Sequence, residues 1–130
     1  MTSSVPKVLD VGNCDLDHGN ISSLLQDHFQ AVVHRAHGLQ DAFAALRGER
    51  FDLVTINRLM DRDGAEGLEI VKSIKGDPAL AETQVMMITN FDEHQQRAQQ
   101  AGAVRGFGKS RLQDPATLSL LSEYLAIPSR

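Results

Sequence analysis

Five short apolar runs alternate with five segments of helical spacing along the 130-residue chain, and this alternation restricts the fold more than any other feature. Short length and β-branched residues favour strands in the first four runs. They are KVLDV (7–11), AVVHR (31–35), FDLVTI (51–56) and QVMMIT (84–89). The fifth run, VRGF (104–107), is a weaker strand candidate because Gly106 lies inside it.

The segments between the runs have the spacing of amphipathic helices. In the first segment one helical face carries Ile21, Leu24, Leu25, His28 and Phe29. Residues 92–101 predict a short and polar fourth helix. Asp114 and Pro115 are a suitable N-cap and first-turn pair for the last helix.

Alternating strands and helices with almost continuously apolar strands predict a parallel sheet covered by helices on both faces. Right-handed crossovers leave few topologies for such a chain. Five units of this length are typical of an α/β flavodoxin-like (βα)5 three-layer sandwich with the strand order 2-1-3-4-5. We expect a single domain over residues 1–130, with its core at about residues 7–126.

The composition argues against several classes of function. Thirteen basic and seventeen acidic residues give a net charge of -4 without a basic cluster, so nucleic acid is not an expected partner. No apolar run approaches the roughly 20 residues of a membrane helix. The N-terminus lacks a signal-peptide pattern, so we expect a cytoplasmic protein without membrane contact. A single cysteine, Cys14, excludes an internal disulfide.

Binding sites in sheets of this kind lie beyond the carboxyl ends of the strands, where strands 1 and 3 are neighbours. Gly12 and Asn13 follow the first strand, and Asn57 ends the third. Thr89 follows the fourth strand and Lys109 follows the fifth. These five residues therefore form the candidate site. The GFGK segment lacks the spacing of a phosphate-binding loop, so no nucleotide or flavin cofactor is expected.

The order of these segments resembles the receiver domain of two-component response regulators (CheY-like) over about residues 7 to 126. The most specific pieces are FDLVTIN, GLEIVKSIK, QVMMITN and GAVRGFGK. In that family two acids after strand 1 bind magnesium, and an aspartate that ends strand 3 accepts phosphate from a histidine kinase. A Thr or Ser after strand 4 and a Lys after strand 5 contact the phosphoryl group.

Carried over residue by residue, the resemblance matches Thr89 and Lys109 but places the acid pair on Gly12 and Asn13. The phosphoacceptor position falls on Asn57. An amide oxygen is a weak nucleophile, and magnesium prefers charged oxygen ligands. The resemblance therefore implies a degenerate phosphorylation pocket with no catalytic residue, no metal and no cofactor.

In this interpretation Asn57 imitates an aspartate that is permanently unphosphorylated or neutralised. We expect Lys109 to donate to the amide oxygen of Asn57. The aromatic switch position on strand 5 falls on Gly106, so the usual aromatic relay is missing as well.

Other acidic residues leave two questions open. Asp15, Asp61 and Asp63 are either loop and turn residues or ligands of a relocated metal site. Asp10 interrupts an apolar central strand and needs a partner there. We expect that partner to be His34 or Arg35 on the neighbouring second strand.

The resemblance implies an output surface on helix 4, strand 5 and helix 5. There we expect a protein partner to contact an outer face of helix 4, at Gln95, Gln96 and Gln99, and an apolar stripe of helix 5. That stripe contains Leu120, Tyr124 and Ile127 and offers homodimerisation as an alternative to docking.

The expected function is a phosphorylation-independent signalling module that acts through protein–protein interaction in a two-component-type pathway and is not an enzyme. Two alternatives remain open. One is a functional phosphoacceptor receiver with relocated metal ligands. The other is a flavodoxin-like domain that binds a small ligand at the same pocket.

Overall fold

A computed structural model describes residues 5–125, which form a parallel four-stranded sheet with helices packed on both faces. The strands are β1 (Lys7–Val11), β2 (Val32–Ala36), β3 (Leu53–Asn57) and β4 (Val85–Ile88). The helices are α1 (Asp15–Phe29), α2 (Leu39–Gly48), α3 (Gly67–Gly76), α4 (Asp92–Gln100) and α5 (Pro115–Ser122). A short 3-10 helix, Lys109–Arg111, precedes α5.

The sheet has the order β2-β1-β3-β4, and every strand pair is parallel. This order confirms the predicted flavodoxin-like α/β fold. Because β1 lies between β2 and β3, the loops after β1 and β3 meet at the same edge of the sheet. The predicted site residues Gly12 and Asn57 belong to that edge.

The predicted fifth strand is wrong as a regular strand, although residues 104–107 follow β4 at the position it would occupy. Val104 forms one isolated parallel bridge with Met86. A continuing ladder would have the Gly106 amide donate to the Met87 carbonyl. Instead the side-chain amide of Gln95 bonds to both of these groups. Because Gln95 takes the donor and the acceptor of the next ladder bond, regular pairing does not continue past the single bridge.

Side-chain alternation along the strands builds two apolar cores. One core lies between the sheet and α2, α3 and α4; its central strand residues are Leu9, Val11, Val54, Ile56, Val85 and Met87. The other lies between the sheet and α1 and α5; its strand residues are Val8, Leu53, Met86 and Ile88. Both faces of β1, β3 and β4 are therefore buried, as parallel sheets require.

The last helix begins as the sequence predicts. The Asp114 carboxylate accepts a hydrogen bond from the Ala116 amide at 2.9 Å, and Pro115 occupies the first turn. Leu121 and Leu125 are buried against the sheet, whereas Leu120 and Tyr124 are half-buried beside them. Ile127, predicted in the same stripe, lies outside the described residues.

Within residues 5–125 no helix has the length and apolar character needed to cross a bilayer.

Candidate functional site

The Asn57 side chain at the end of β3 is bound to two backbone carbonyls. Its Nδ2 donates to the carbonyl of Leu59 at 2.7 Å and to that of Gly12 at 3.2 Å. These bonds join the ends of β1 and β3 and shape the loop that follows β3. The amide group is therefore used as a donor, which is a role that a carboxylate cannot take over.

Gly12 adopts a backbone conformation that favours glycine. Its φ is +78°, and a Cβ placed there would overlap the Met60 side chain. Met60 is buried in the loop after β3. The left-handed backbone therefore disfavours a side chain at the position where the family pattern has an acid, and the Met60 side chain would have to move aside.

Asn13 belongs to a buried polar network centred on Asp10. The Asp10 carboxylate is fully buried and has three partners at 2.7 Å: Asn13 Nδ2, Thr55 Oγ1 and His18 Nδ1. These partners come from the β1–α1 loop, β3 and α1. The predicted pairing of Asp10 with His34 or Arg35 is wrong.

The contacts of His34 and Arg35 explain why neither residue pairs with Asp10. His34 instead packs its ring against Phe51 and lies 3.6 Å from a Glu49 carboxylate oxygen. Arg35 is in register with Asp10, but its guanidinium reaches past it to the Asn13 carbonyl. Donors closer to the carboxylate, on α1 and β3, therefore take its oxygens.

Lys109 is paired with Asp17 of α1. Its Nζ lies 2.7 Å from Asp17 Oδ2, and both side chains are largely covered. The hydrogen bond from Lys109 lowers the pKa of the Asp17 carboxyl, against an opposing effect of partial burial. The structure thus gives Lys109 a carboxylate partner, rather than the Asn57 amide oxygen that the sequence predicts.

A second cationic side chain, that of Arg35, lies beside the β1–α1 loop. Its Nη2 donates to the Asn13 carbonyl at 3.0 Å and contacts Asp15 at 2.8 Å. Asp61 lies 3.8 Å from the same nitrogen and 3.1 Å from His37 Nδ1. The sequence alone does not reveal this cluster, because its members come from three stretches that lie far apart in the chain.

The residues present do not fit the magnesium ion that the family pattern implies. Asp15 and Asp61 face Arg35, and an Asp63 oxygen accepts from the Ala65 amide in a local turn. Asn13 offers a neutral amide oxygen, which is buried without a hydrogen-bond partner. Among residues 5–125 no group of three or more His, Cys, Asp or Glu side chains is arranged to hold a metal.

Thr89 is buried at the end of β4, and its contacts lead to α4 and to residues 104–107. Its Oγ1 accepts from the Phe91 amide at 3.3 Å, and its own amide donates to the Phe107 carbonyl at 3.0 Å. Gly106, the predicted switch position, packs so closely on Met87 that a Cβ there would overlap the Met87 carbonyl oxygen.

Gln95 does not belong to the exposed face of α4, so its prediction as a surface residue is wrong. It is 3% exposed and points between β4 and Gly106, while Gln96 and Gln99 are exposed as predicted. Its position three residues before the buried Ala98 could have indicated this, because such residues share a helical face.

Replacing Asp10 tests the buried network. We expect Asp10→Ala to lower the free energy of unfolding by about 3 kcal/mol or more, because the buried donors of Asn13 and Thr55 and the partly buried His18 lose their acceptor. Chemical denaturation followed by circular dichroism measures the change. Asp27→Ala, an exposed site on α1, is the control and should change stability little. Equal effects of the two substitutions would contradict the network's role.

Acid titration of stability tests the Lys109–Asp17 pair. The folded-state pKa of Asp17 is lowered, so its stabilisation is present above the unfolded value of about 3.9 and disappears as the pH falls through the folded-state pKa. We expect Asp17→Asn to be less stable than wild type at neutral pH and to lose less stability on acidification.

Denaturation midpoints between about pH 6 and pH 2 measure this difference. Asp27→Asn changes the same charge on an exposed part of α1 and should follow the wild-type profile. An acid profile of Asp17→Asn that is identical to wild type would show that the pair does not stabilise the fold.

Comparisons with known proteins agree with this architecture. The family model of the response regulator receiver domain matches residues 16–116. A search of curated proteins found no match.

Solved structures of receiver proteins superpose over nearly the whole chain. The receiver domain of a DNA-binding response regulator from Colwellia psychrerythraea gives a TM-score of 0.78 at 24% identity, covering 91% of this chain and 96% of that one. A response regulator from Thermotoga maritima gives 0.76 at 23% identity, covering 95% and 99%. The chemotaxis response regulator CheY4 of Vibrio cholerae gives 0.72 at 26% identity, covering 94% and 100%. Since the family model spans most of the sequence and the fold agrees with it, the chain belongs to the response regulator receiver domain family of two-component signalling.

Proposed function

We propose that this receiver domain is a pseudo-receiver: a signalling module that works without phosphorylation, has no catalytic activity of its own and acts through protein–protein interaction. One observation carries the proposal. The Asn57 amide, at the phosphoacceptor position, donates to the carbonyls of Leu59 and Gly12. The side chain is thus part of the loop structure rather than a free group at the mouth of a pocket.

The same geometry disfavours a carboxylate at this position. An aspartate would turn its oxygens toward two carbonyl oxygens and would lose both donated bonds. Nucleophilic attack on a phosphodonor requires an anionic and accessible oxygen, and Asn57 provides a neutral amide. The local structure therefore favours an amide over a carboxylate at position 57.

The backbone at Gly12 supports the proposal independently. With a φ of +78° and the Met60 side chain in the space that a Cβ would take, this position disfavours the acid that would bind magnesium. A single substitution back to aspartate would strain the chain and would displace Met60. The backbone at Gly12 and the position of Met60 are therefore adapted to a residue without a side chain.

Charge pairing within the chain supports it further. Lys109 has a carboxylate partner in Asp17, and Arg35 contacts Asp15 and the Asn13 carbonyl. In a phosphorylatable receiver, a bound metal ion would balance the carboxylates and an anionic phosphoryl group would balance the lysine. Here side chains of the chain itself balance one another at the same edge of the sheet.

We infer that the partner surface lies on α4, residues 104–107 and α5. Gln96 and Gln99 are exposed on α4 and offer hydrogen-bonding amides. Leu120 on α5 and Tyr124 in the turn that follows it are half-buried. A groove of about 530 Å³ between these elements is lined by residues that include Asn90, Arg105 and Leu120. A protein partner fits this mixed polar and apolar surface, and a second copy of the chain is the alternative occupant.

Treatment with a small phosphodonor tests the absence of phosphorylation. We expect wild-type protein incubated with acetyl phosphate and magnesium to keep its mass, because a neutral amide occupies the phosphoacceptor position. Intact-mass spectrometry is the measurement, and a receiver domain with the full acid set serves as the positive control for the donor. One added phosphoryl group on this chain would refute the proposal in favour of a functional phosphoacceptor.

The Asn57 amide is tested by a single-atom exchange. We expect Asn57→Asp to lower the free energy of unfolding by about 1–3 kcal/mol, because two donated bonds become contacts between oxygens. Asn90→Asp is the matched control, since the Asn90 bonds to Ser110 use Oδ1 as an acceptor and survive the exchange. If chemical denaturation gave Asn57→Asp wild-type stability, the amide would not be structurally required.

A further inference from the structure

We propose that Gln95 is a positioning residue that locks α4 to β4 and to residues 104–107, so that the proposed partner surface stays in one arrangement. The inference rests on the proposed function, because it assumes that a protein partner binds the exposed face of α4. The contacts of the lock itself do not depend on what happens at Asn57.

The Gln95 amide connects three separate segments. Its Nε2 donates to the Met87 carbonyl at 2.9 Å and makes a longer contact of 3.4 Å with the Thr89 carbonyl. Its Oε1 accepts from the Gly106 amide at 2.9 Å. With 3% of the residue exposed, water does not compete for these groups. The side chain satisfies the backbone groups that an interrupted ladder would leave unpaired.

Glycine at 106 makes the arrangement possible. A side chain at this position would collide with the Met87 carbonyl, which is the group that Gln95 binds. The family pattern has an aromatic residue at this position. In this chain the position is a glycine, and its backbone lies directly against the backbone of Met87. Gln95 and Gly106 therefore form one structural unit.

Thr89 completes the connection between the site and the α4 surface. Its hydroxyl accepts from the Phe91 amide next to α4, and its amide donates to the Phe107 carbonyl. Any displacement of Thr89 or rotation of α4 would therefore have to break the buried Gln95 bonds. The lock keeps β4, α4 and residues 104–107 moving as one body.

Hydrogen exchange of the full chain, resolved by NMR, tests the lock. We expect Gln95→Ala to increase the exchange rates of the Gly106 and Thr89 amides by about tenfold or more. The Gly106 amide loses its hydrogen-bond acceptor, and Thr89 loses the side chain beside it. Gln99→Ala, an exposed site on the same helix, is the matched control and should leave both rates unchanged.

A second variant keeps the test valid if Gln95→Ala folds poorly. When ionised, the Gln95→Glu side chain retains an acceptor for Gly106 but cannot donate to the Met87 carbonyl, so at a pH that ionises it we expect faster exchange than wild type with the fold preserved. Wild-type exchange rates in the substituted Gln95 chains would refute the lock and leave the proposed function standing. A phosphoryl adduct on the wild-type chain would refute the proposed function and leave the lock standing.

Discussion

The buried carboxylate of Asp10 holds together the elements from which the candidate site is built. It accepts from Asn13, Thr55 and His18, and so ties the β1–α1 loop and α1 to the middle of the sheet. A fully buried carboxylate is costly unless its oxygens are satisfied, and three donors at 2.7 Å satisfy them. The position of α1 in turn places Asp17 against Lys109.

Negative charge is distributed differently here from the pattern of the receiver family. The family pattern concentrates carboxylates at the open edge of the sheet, where a metal ion and a phosphoryl group require them. In this chain one carboxylate is buried at Asp10, and those near the edge are paired with Arg35, His37 and Lys109. The edge carries Gly12 and the neutral amides of Asn13 and Asn57.

The region around β4 shows how one long-range contact changes several local features at once. Gln95 enters the space beside Met87, the fifth strand is reduced to a bridge, and Gly106 becomes sterically necessary. Sequence patterns treat these positions separately: a polar helix residue, a weak strand and a missing aromatic residue. The structure joins them through one side-chain amide, and only tertiary packing brings the three segments together.

The sequence by itself determined the fold class, the order of the first four strands and the helix positions. It did so because hydrophobic periodicity and strand–helix alternation are local properties that few topologies satisfy. Tertiary structure alone decided which donor serves Asp10, which acid pairs with Lys109, which glutamine is buried and where the fifth strand stops. Those outcomes depend on distances between segments far apart in the chain, and competition among nearby donors and acceptors leaves no periodic trace in the sequence.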